Sequence, residues 1–315
     1  MQALVLGSFD DPPAVRDTAP PTTSEGEVLV RVAAAGVNPY DVAVAAGGMQ
    51  AYIPYGFPVV IGNDVAGTVE AVGGGVTDMV VGTRVFGTMG ARPTIHDGSF
   101  AELANPQVGG LAVTPDGLSD MDASTLGVAG TTAMSAVEAV APREGQRVLI
   151  VGATGGVGSF AIQLVAMRGA HVVATVRPGD EAFVTDLGAA ETVDYTGDLD
   201  AALDQRFPDG LDAVIDGVNR DPGRFEALVA RVRSGGRATS VVGGAGEATE
   251  IGGVAVSNTG GDPAHLATLG ALVVRGDLRV PVRRTYALAE AAAALEDLVR
   301  EHTVGKAVIL VTVPA

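Results

Sequence analysis

Between Met1 and about Pro115 the apolar residues come in short runs, each cut off by glycine or proline. Runs at 3–6, 27–35, 65–72 and 83–86 predict β-strands, with turns at Gly36, Gly47-Gly48, Gly73-Gly74-Gly75 and Gly87. That texture predicts a mostly β module with irregular loops. It changes near Ser119. From 122 to 141, Leu126, Ala129, Ala133, Val137 and Val140 recur at helical spacing until Pro142 stops them, which predicts one long helix.

Strands and helices then alternate. Strands at 147–151, 171–176, 191–194, 211–216 and 236–242 are separated by helices at 156–168, 180–187, 199–207 and 223–231. Repeated βα units with near-continuous apolar strands predict a doubly wound parallel sheet covered on both faces. After it come amphipathic helices at 264–274 and 288–300 and a strand at 306–313. This last piece has no glycine-rich turn of its own, so it is assigned to the N-terminal module. The expected fold class is α/β with two domains: a β-rich domain of residues 1–120 and 258–315, and an inserted nucleotide-binding domain of residues 121–257.

Composition narrows the chemistry. The chain has 315 residues, 47% of them hydrophobic, enough to bury sizeable cores. Its 37 acidic against 20 basic residues leave a formal charge of −17. Nucleic acid and anionic membranes are therefore poor partners, and a phosphate-bearing cofactor needs local amides and one or two placed cations. The chain has no cysteine, which removes disulfides, thiolate zinc sites, CxxC redox chemistry and cysteine nucleophiles. The start, MQALVLGSFDDPP, lacks a basic n-region, and the longest apolar stretch, 157–176, is broken by Gln163, Arg168 and His171. A cytoplasmic protein is expected. No G-x-S-x-G elbow occurs, so a hydrolase of that type is excluded.

The stretch 148–158, VLIVGATGGVG, runs a strand into a glycine-rich turn. The G-x-G-x-x-G fingerprint uses its glycines for a tight turn, for close approach to a pyrophosphate and for helix–strand packing. Here the pattern is A-x-G-x-x-G. Ala153, Thr154, Gly155, Gly156, Val157 and Gly158 are the candidate cofactor-binding residues, with the helix N-terminus aimed at the phosphates. An acid at the end of the second strand would hold the 2′-hydroxyl of NAD. Instead the chain reads Thr175-Val176-Arg177, and the first acid is Asp180. Arginine suits the 2′-phosphate of NADP, which is the favoured cofactor.

Four further landmarks are GVNPYD at 36–41, GNDVAG at 62–67, GTTA at 130–133 and GKAV at 305–308. Together with the turn, they resemble the medium-chain dehydrogenase/reductase superfamily, in particular its zinc-independent quinone oxidoreductase (zeta-crystallin-like) branch. The resemblance spans nearly the whole chain. It implies a GroES-like catalytic domain with a Rossmann domain between its two parts, and a homodimer or homotetramer. Zinc-dependent relatives carry a cysteine ligand in the first landmark and GHExxG in the second. Here Asn38 and Asn63-Asp64 stand there, and His96, His171, His265 and His302 are scattered, so no metal is expected.

Without a Lewis acid, the accessible reaction is hydride donation from NADPH to a quinone or an α,β-unsaturated carbonyl, whose developing oxyanion needs only donors and a proton. Asn38 is the candidate polarising donor, Thr132 by resemblance approaches the nicotinamide, and Tyr52 or Tyr55 offers a hydroxyl. By the same resemblance Tyr195 lies near the adenosine 2′-phosphate, and Gly243 and Gly244 let the backbone approach the nicotinamide end. Two alternatives stay open. An enoyl-thioester reductase would need a cationic entrance, and the first module offers only Arg16, Arg31, Arg84 and Arg92. The other is a non-catalytic NADPH-binding protein.

Overall fold

Val28, Val30 and Val32 share one face of the strand Val28–Val37, and all three are fully buried. Alternation of this kind is what a strand with one covered face requires. The computed structural model describes residues 1–302 and 304–311. The chain divides into two units, Met1–Val128 with the stretch from Pro263 onward, and Ala129–Asp262.

In the first unit the main sheet runs Val282–Ala287, Lys306–Leu310, Val28–Val37, Asp64–Val72, Arg84–Thr88, Leu111–Val113. The strand Lys306–Leu310 lies antiparallel to Val28–Val37, with Val308 opposite Gly36. A smaller sheet joins Ala14–Asp17, Gln2–Leu6 and Val59–Val60. Gly67 sits where the register between Val28–Val37 and Asp64–Val72 slips, and a side chain there would run into the Arg31 carbonyl. Leu4, Ile61 and Phe100 fill the core behind these strands. Onto it the helix Ala291–Arg300 lays Ala291, Ala294 and Leu295, with Glu296 and Arg300 outward.

Several elements differ from the sequence expectation. The helix Pro39–Ala45 and the strands Ala14–Asp17 and Val282–Ala287 were not anticipated. The long helix expected at 122–141 is broken into Asp120–Ala123, a π-turn Leu126–Gly130, and Thr131–Val140. The cause is local competition for the backbone. The Ser124 and Thr125 hydroxyls donate to the Met121 and Asp122 carbonyls, and the Val128 amide turns to the Asp64 carboxylate. Of the strand expected at 306–313, Thr312 and Val313 lie outside the described residues.

The second unit is one sheet in the order Glu191–Asp194, His171–Val176, Arg147–Val151, Leu211–Asp216, Val232–Ser240, Val254–Asn258, Glu250–Ile251. All neighbours are parallel except the last pair. Counting the parallel strands along the chain gives the order 3-2-1-4-5-6 of a Rossmann sheet. Val148, Leu149 and Ile150 of the central strand are fully buried, as a strand covered on both faces must be. The last two strands were not expected from sequence: Glu250–Ile251 has only two residues, and Val254–Asn258 follows directly on Gly252-Gly253.

Candidate active site

The candidate residues fall into two groups, one in each unit. In the second unit, the strand Arg147–Val151 leads into the turn at the point where strand order reverses, with strands His171–Val176 and Leu211–Asp216 on either side. Ala153 has an ordinary backbone angle and is fully buried, while Gly152, one residue earlier, takes the left-handed conformation at φ +80°. The off-pattern alanine therefore costs the turn nothing. Gly155 precedes the helix Gly156–Ala166, and no side chain caps that end. The amides of Gly156, Val157 and Gly158 are thus left without intrahelical acceptors, ready for an anion. A Cβ on Gly155 would meet nothing nearer than the Gly152 carbonyl oxygen at 3.4 Å, so the approach to those amides is open from this chain's side. Gly158 is the opposite case. A Cβ there would collide with the Gly152 carbonyl and lie 2.7 Å from Ala153 Cα. Thr154 is buried and Val157 half-buried in the same turn.

A residue the sequence reading did not single out braces this turn. The buried Thr175 hydroxyl accepts the Gly152 amide at 3.1 Å and donates to the Ile150 carbonyl at 3.3 Å. At the next residue, parallel pairing sets Val176 opposite Asp194, so the residues that follow, Arg177 and Tyr195, emerge side by side. Arg177 Nε donates to the Tyr195 hydroxyl at 2.7 Å, and the guanidinium carbon lies 5.9 Å from the ring centroid. The two terminal amino groups of Arg177 make no hydrogen bond among the described residues. Such a pair offers a planar cation and a hydroxyl to a phosphate.

Two loops complete this edge. Burial raises the Asp216 carboxyl above its usual range, although Val218 and Asn219 amides donate to it at 2.9 and 3.2 Å. Ser240 Oγ accepts the Gly244 amide at 2.9 Å. Gly243 has φ +88° with open space where a side chain would be, whereas a Cβ on Gly244 would strike the Asn219 carbonyl. Gly244 is therefore a packing glycine and Gly243 the open one. The Thr132 side chain is buried near Gly261, and its hydroxyl makes no hydrogen bond among the described residues.

In the first unit Asn38 opens the helix Pro39–Ala45, its amide donating to Asp41 Oδ2 at 2.8 Å. Its own side chain does not cap the helix. Nδ2 donates to Asp64 Oδ2 at 2.9 Å and to the Gly36 carbonyl at 3.3 Å, and Oδ1 accepts from Lys306 Nζ at 2.6 Å. Lys306 also donates to the Val37 carbonyl at 3.0 Å and stands 3.7 Å from Asp64 Oδ2. Asp64 Oδ1 takes the Val128 amide at 2.7 Å. All four side chains are sealed in: Asn38 is 2%, Asp41 1%, Asp64 0% and Lys306 3% exposed.

Burial first, and the Asp64 carboxylate second, push the Asp41 carboxyl up to about 8. Burial also raises Asp64 and lowers the Lys306 ammonium, each held back by the opposite charge of the other. Asp64 carries the better donors and pairs with Lys306. Asp41 Oδ1 has no partner, which fits a carboxyl that stays neutral. Because the folded state holds this proton from about pH 4 to about 8 and the unfolded chain does not, stability falls as pH rises through that window. Asp41→Asn removes the slope, about 1.4 kcal/mol per pH unit for one group. Melting curves at pH 5 and pH 9 should show the variant gaining on the wild type at the higher pH. An unchanged difference would contradict the neutral carboxyl.

The two tyrosines of the following loop differ. Tyr52 is 78% exposed. Tyr55 donates to the Val44 carbonyl at 3.1 Å and packs against Phe9 and Phe57, with ring centroids 4.9 and 5.9 Å away. Where the resemblance would put zinc ligands, the available groups are amides, a carboxylate and an ammonium. Asn38 Oδ1 is already occupied by that ammonium, so the donor set does not suit Zn²⁺. Among the described residues, no three of His, Cys, Asp or Glu gather in a way that could hold a metal ion. No helix among them is long and apolar enough to cross a membrane.

Comparison with known proteins bears on both units. Residues 24–137 match the alcohol dehydrogenase GroES-like domain, and residues 187–309 match the family described as zinc-binding dehydrogenase. The quinone oxidoreductase of Pseudomonas aeruginosa is 31% identical over 94% of this chain and 94% of its own. A chloroplast envelope quinone oxidoreductase homolog of Arabidopsis thaliana is 33% identical over 64% of this chain, which spans 62% of the plant protein. The solved structure of the quinone oxidoreductase from Coxiella burnetii matches with a TM-score of 0.86 at 27% identity, covering 99% of both chains. A GroES-like β unit, a Rossmann unit and a near full-length relative agree: the chain belongs to the quinone oxidoreductase branch of the medium-chain dehydrogenase/reductase superfamily.

Proposed function

We infer that this protein is a reductase of the quinone oxidoreductase kind, using NADPH to deliver hydride to a quinone or an α,β-unsaturated carbonyl without zinc. The observation that carries the cofactor choice is the Arg177–Tyr195 pair at the carboxyl edge of the sheet, beside the uncapped helix at Gly156. The helix amides suit the pyrophosphate, and Arg177 with Tyr195 suits a 2′-phosphate. Gly243, with open space where a side chain would be, would let its backbone approach the dinucleotide. When bound there, NADPH supplies a hydride from its nicotinamide ring.

The protein's own part is to bind, orient and protonate. Two electrons arrive with the hydride, and one proton from water or a side chain completes reduction of a quinone or enone. A hydroxyl that makes no hydrogen bond among the described residues, Thr132 of the second unit or Tyr52 of the first, is the donor proposed for the substrate oxygen. Asn38, with both amide hydrogens donated and its oxygen accepting from Lys306, holds the turn in shape. The family resemblance supports extending the proposal to a homodimer or homotetramer.

The test is NADPH oxidation with a simple naphthoquinone set against a 2-enoyl thioester. Faster turnover of the quinone is expected. Turnover of the thioester alone would make the protein an enoyl-thioester reductase. NADPH binding without turnover of either would make it a non-catalytic binder.

A further inference from the structure

Of the 20 cationic residues in the chain, 19 are arginine and one is lysine, Lys306. That one lysine is buried at the start of the strand Lys306–Leu310, where every exposed cation of the protein is an arginine. Burying an ammonium costs several kcal/mol, and replacing a buried ion pair by apolar groups is often neutral or stabilising. Stability alone is therefore a poor reason for a charge here.

Geometry supplies a better reason. An ammonium is compact and has three donors, and Nζ has three oxygens around it: Asn38 Oδ1, the Val37 carbonyl and Asp64 Oδ2. A guanidinium is longer, planar and carries five donors, so it cannot fill the same place. By claiming Asn38 Oδ1, Lys306 decides which way the amide faces, and Nδ2 then falls to Asp64. The Asn38 backbone amide starts the helix Pro39–Ala45 through Asp41, and at the other end the Val44 carbonyl receives the Tyr55 hydroxyl. Asp64 carries the same frame to Val128 in the π-turn.

We propose that Lys306 is a positioning residue for the reduction: it clamps the Asn38 turn, and through it the helix and loop that carry Tyr52 and Tyr55, without touching substrate. The inference rests on the proposed quinone reduction. Wild-type turnover reports on that reduction, and only the ratio of variant to wild type reports on Lys306.

Lys306→Met keeps the stem and removes the charge and donors. It should lower kcat for naphthoquinone on the order of 100-fold, the cost of a misplaced site, with NADPH Kd unchanged within about twofold because the cofactor groups lie in the other unit. Lys306→Ala should regain a substantial part of kcat, saturably, when methylammonium is added, and none with methanol. If Lys306→Met does not fold, Lys306→Met with Asp64→Asn removes both buried charges together. That pair should fold and show the same loss of kcat. Wild-type kcat in either folded variant overturns the proposal. So does equal rescue by methanol, which would leave Lys306 a space filler.

Discussion

Arg177→Ala is expected to weaken NADPH binding by roughly 10- to 100-fold while changing NADH binding by no more than about threefold. A hydrogen bond to a charged group contributes about 1.5–3 kcal/mol, and each 1.4 kcal/mol is tenfold in affinity. The guanidinium is anchored to Tyr195 by one nitrogen, which leaves its two amino groups for the 2′-phosphate. Tyr195→Phe removes the anchor but leaves the guanidinium charge in place, and should cost less, about threefold to tenfold. Titration by cofactor fluorescence at fixed ionic strength reads both. Equal losses for the two cofactors would mean that Arg177 does not see the 2′ position.

Gly158→Ala and Gly155→Ala should separate the two tasks of the turn. At 158 the new methyl would strike the Gly152 carbonyl and sit 2.7 Å from Ala153 Cα, all of it backbone that cannot step aside. The helix must move away from its strand, at a cost of about 3 kcal/mol or more, so Tm should fall by several degrees and NADPH binding should be lost with it. At 155 the nearest atom is 3.4 Å away and the backbone is extended at φ −74°, ψ 178°. Gly155→Ala should therefore keep its Tm and still lose NADPH affinity, because the methyl stands where the phosphate must come close. If Gly155→Ala binds NADPH normally, the phosphate does not lie over this turn.

Local pattern made much of the second unit legible. Each βα step repeats within about thirty residues, and the strands Arg147–Val151, His171–Val176, Glu191–Asp194 and Leu211–Asp216 fall where the apolar runs placed them. The meeting of Arg177 and Tyr195 follows from the same regularity, since adjacent parallel strands end together. Ala153 misled only on paper, because the left-handed position of the turn is Gly152.

The first unit was harder for a physical reason. Asn38 and Lys306 are 268 positions apart, and no window along the chain contains both. Read locally, Asn38 is a turn residue with a free amide. In the fold the amide is bonded at both ends, and Asp64, noted in the sequence only as standing in a landmark where a metal ligand is usual, is the hub that does it. Two signals for this site were in the sequence. Asparagine, proline and an acid three residues on mark a helix start, and the one lysine among 19 arginines sets position 306 apart. The π-turn at Leu126–Gly130 left no such trace, because it depends on Asp64 reaching Val128 from a distant strand.

NADPH is proposed to reduce a conjugated carbonyl here with no metal in the site. The direct measurement is naphthoquinone-dependent oxidation of NADPH by protein stripped with a strong chelator and checked for metal by mass spectrometry. The rate should be unchanged in the stripped protein, with no gain when Zn²⁺ is returned. A rate that disappears on stripping and comes back with Zn²⁺ would contradict the proposal.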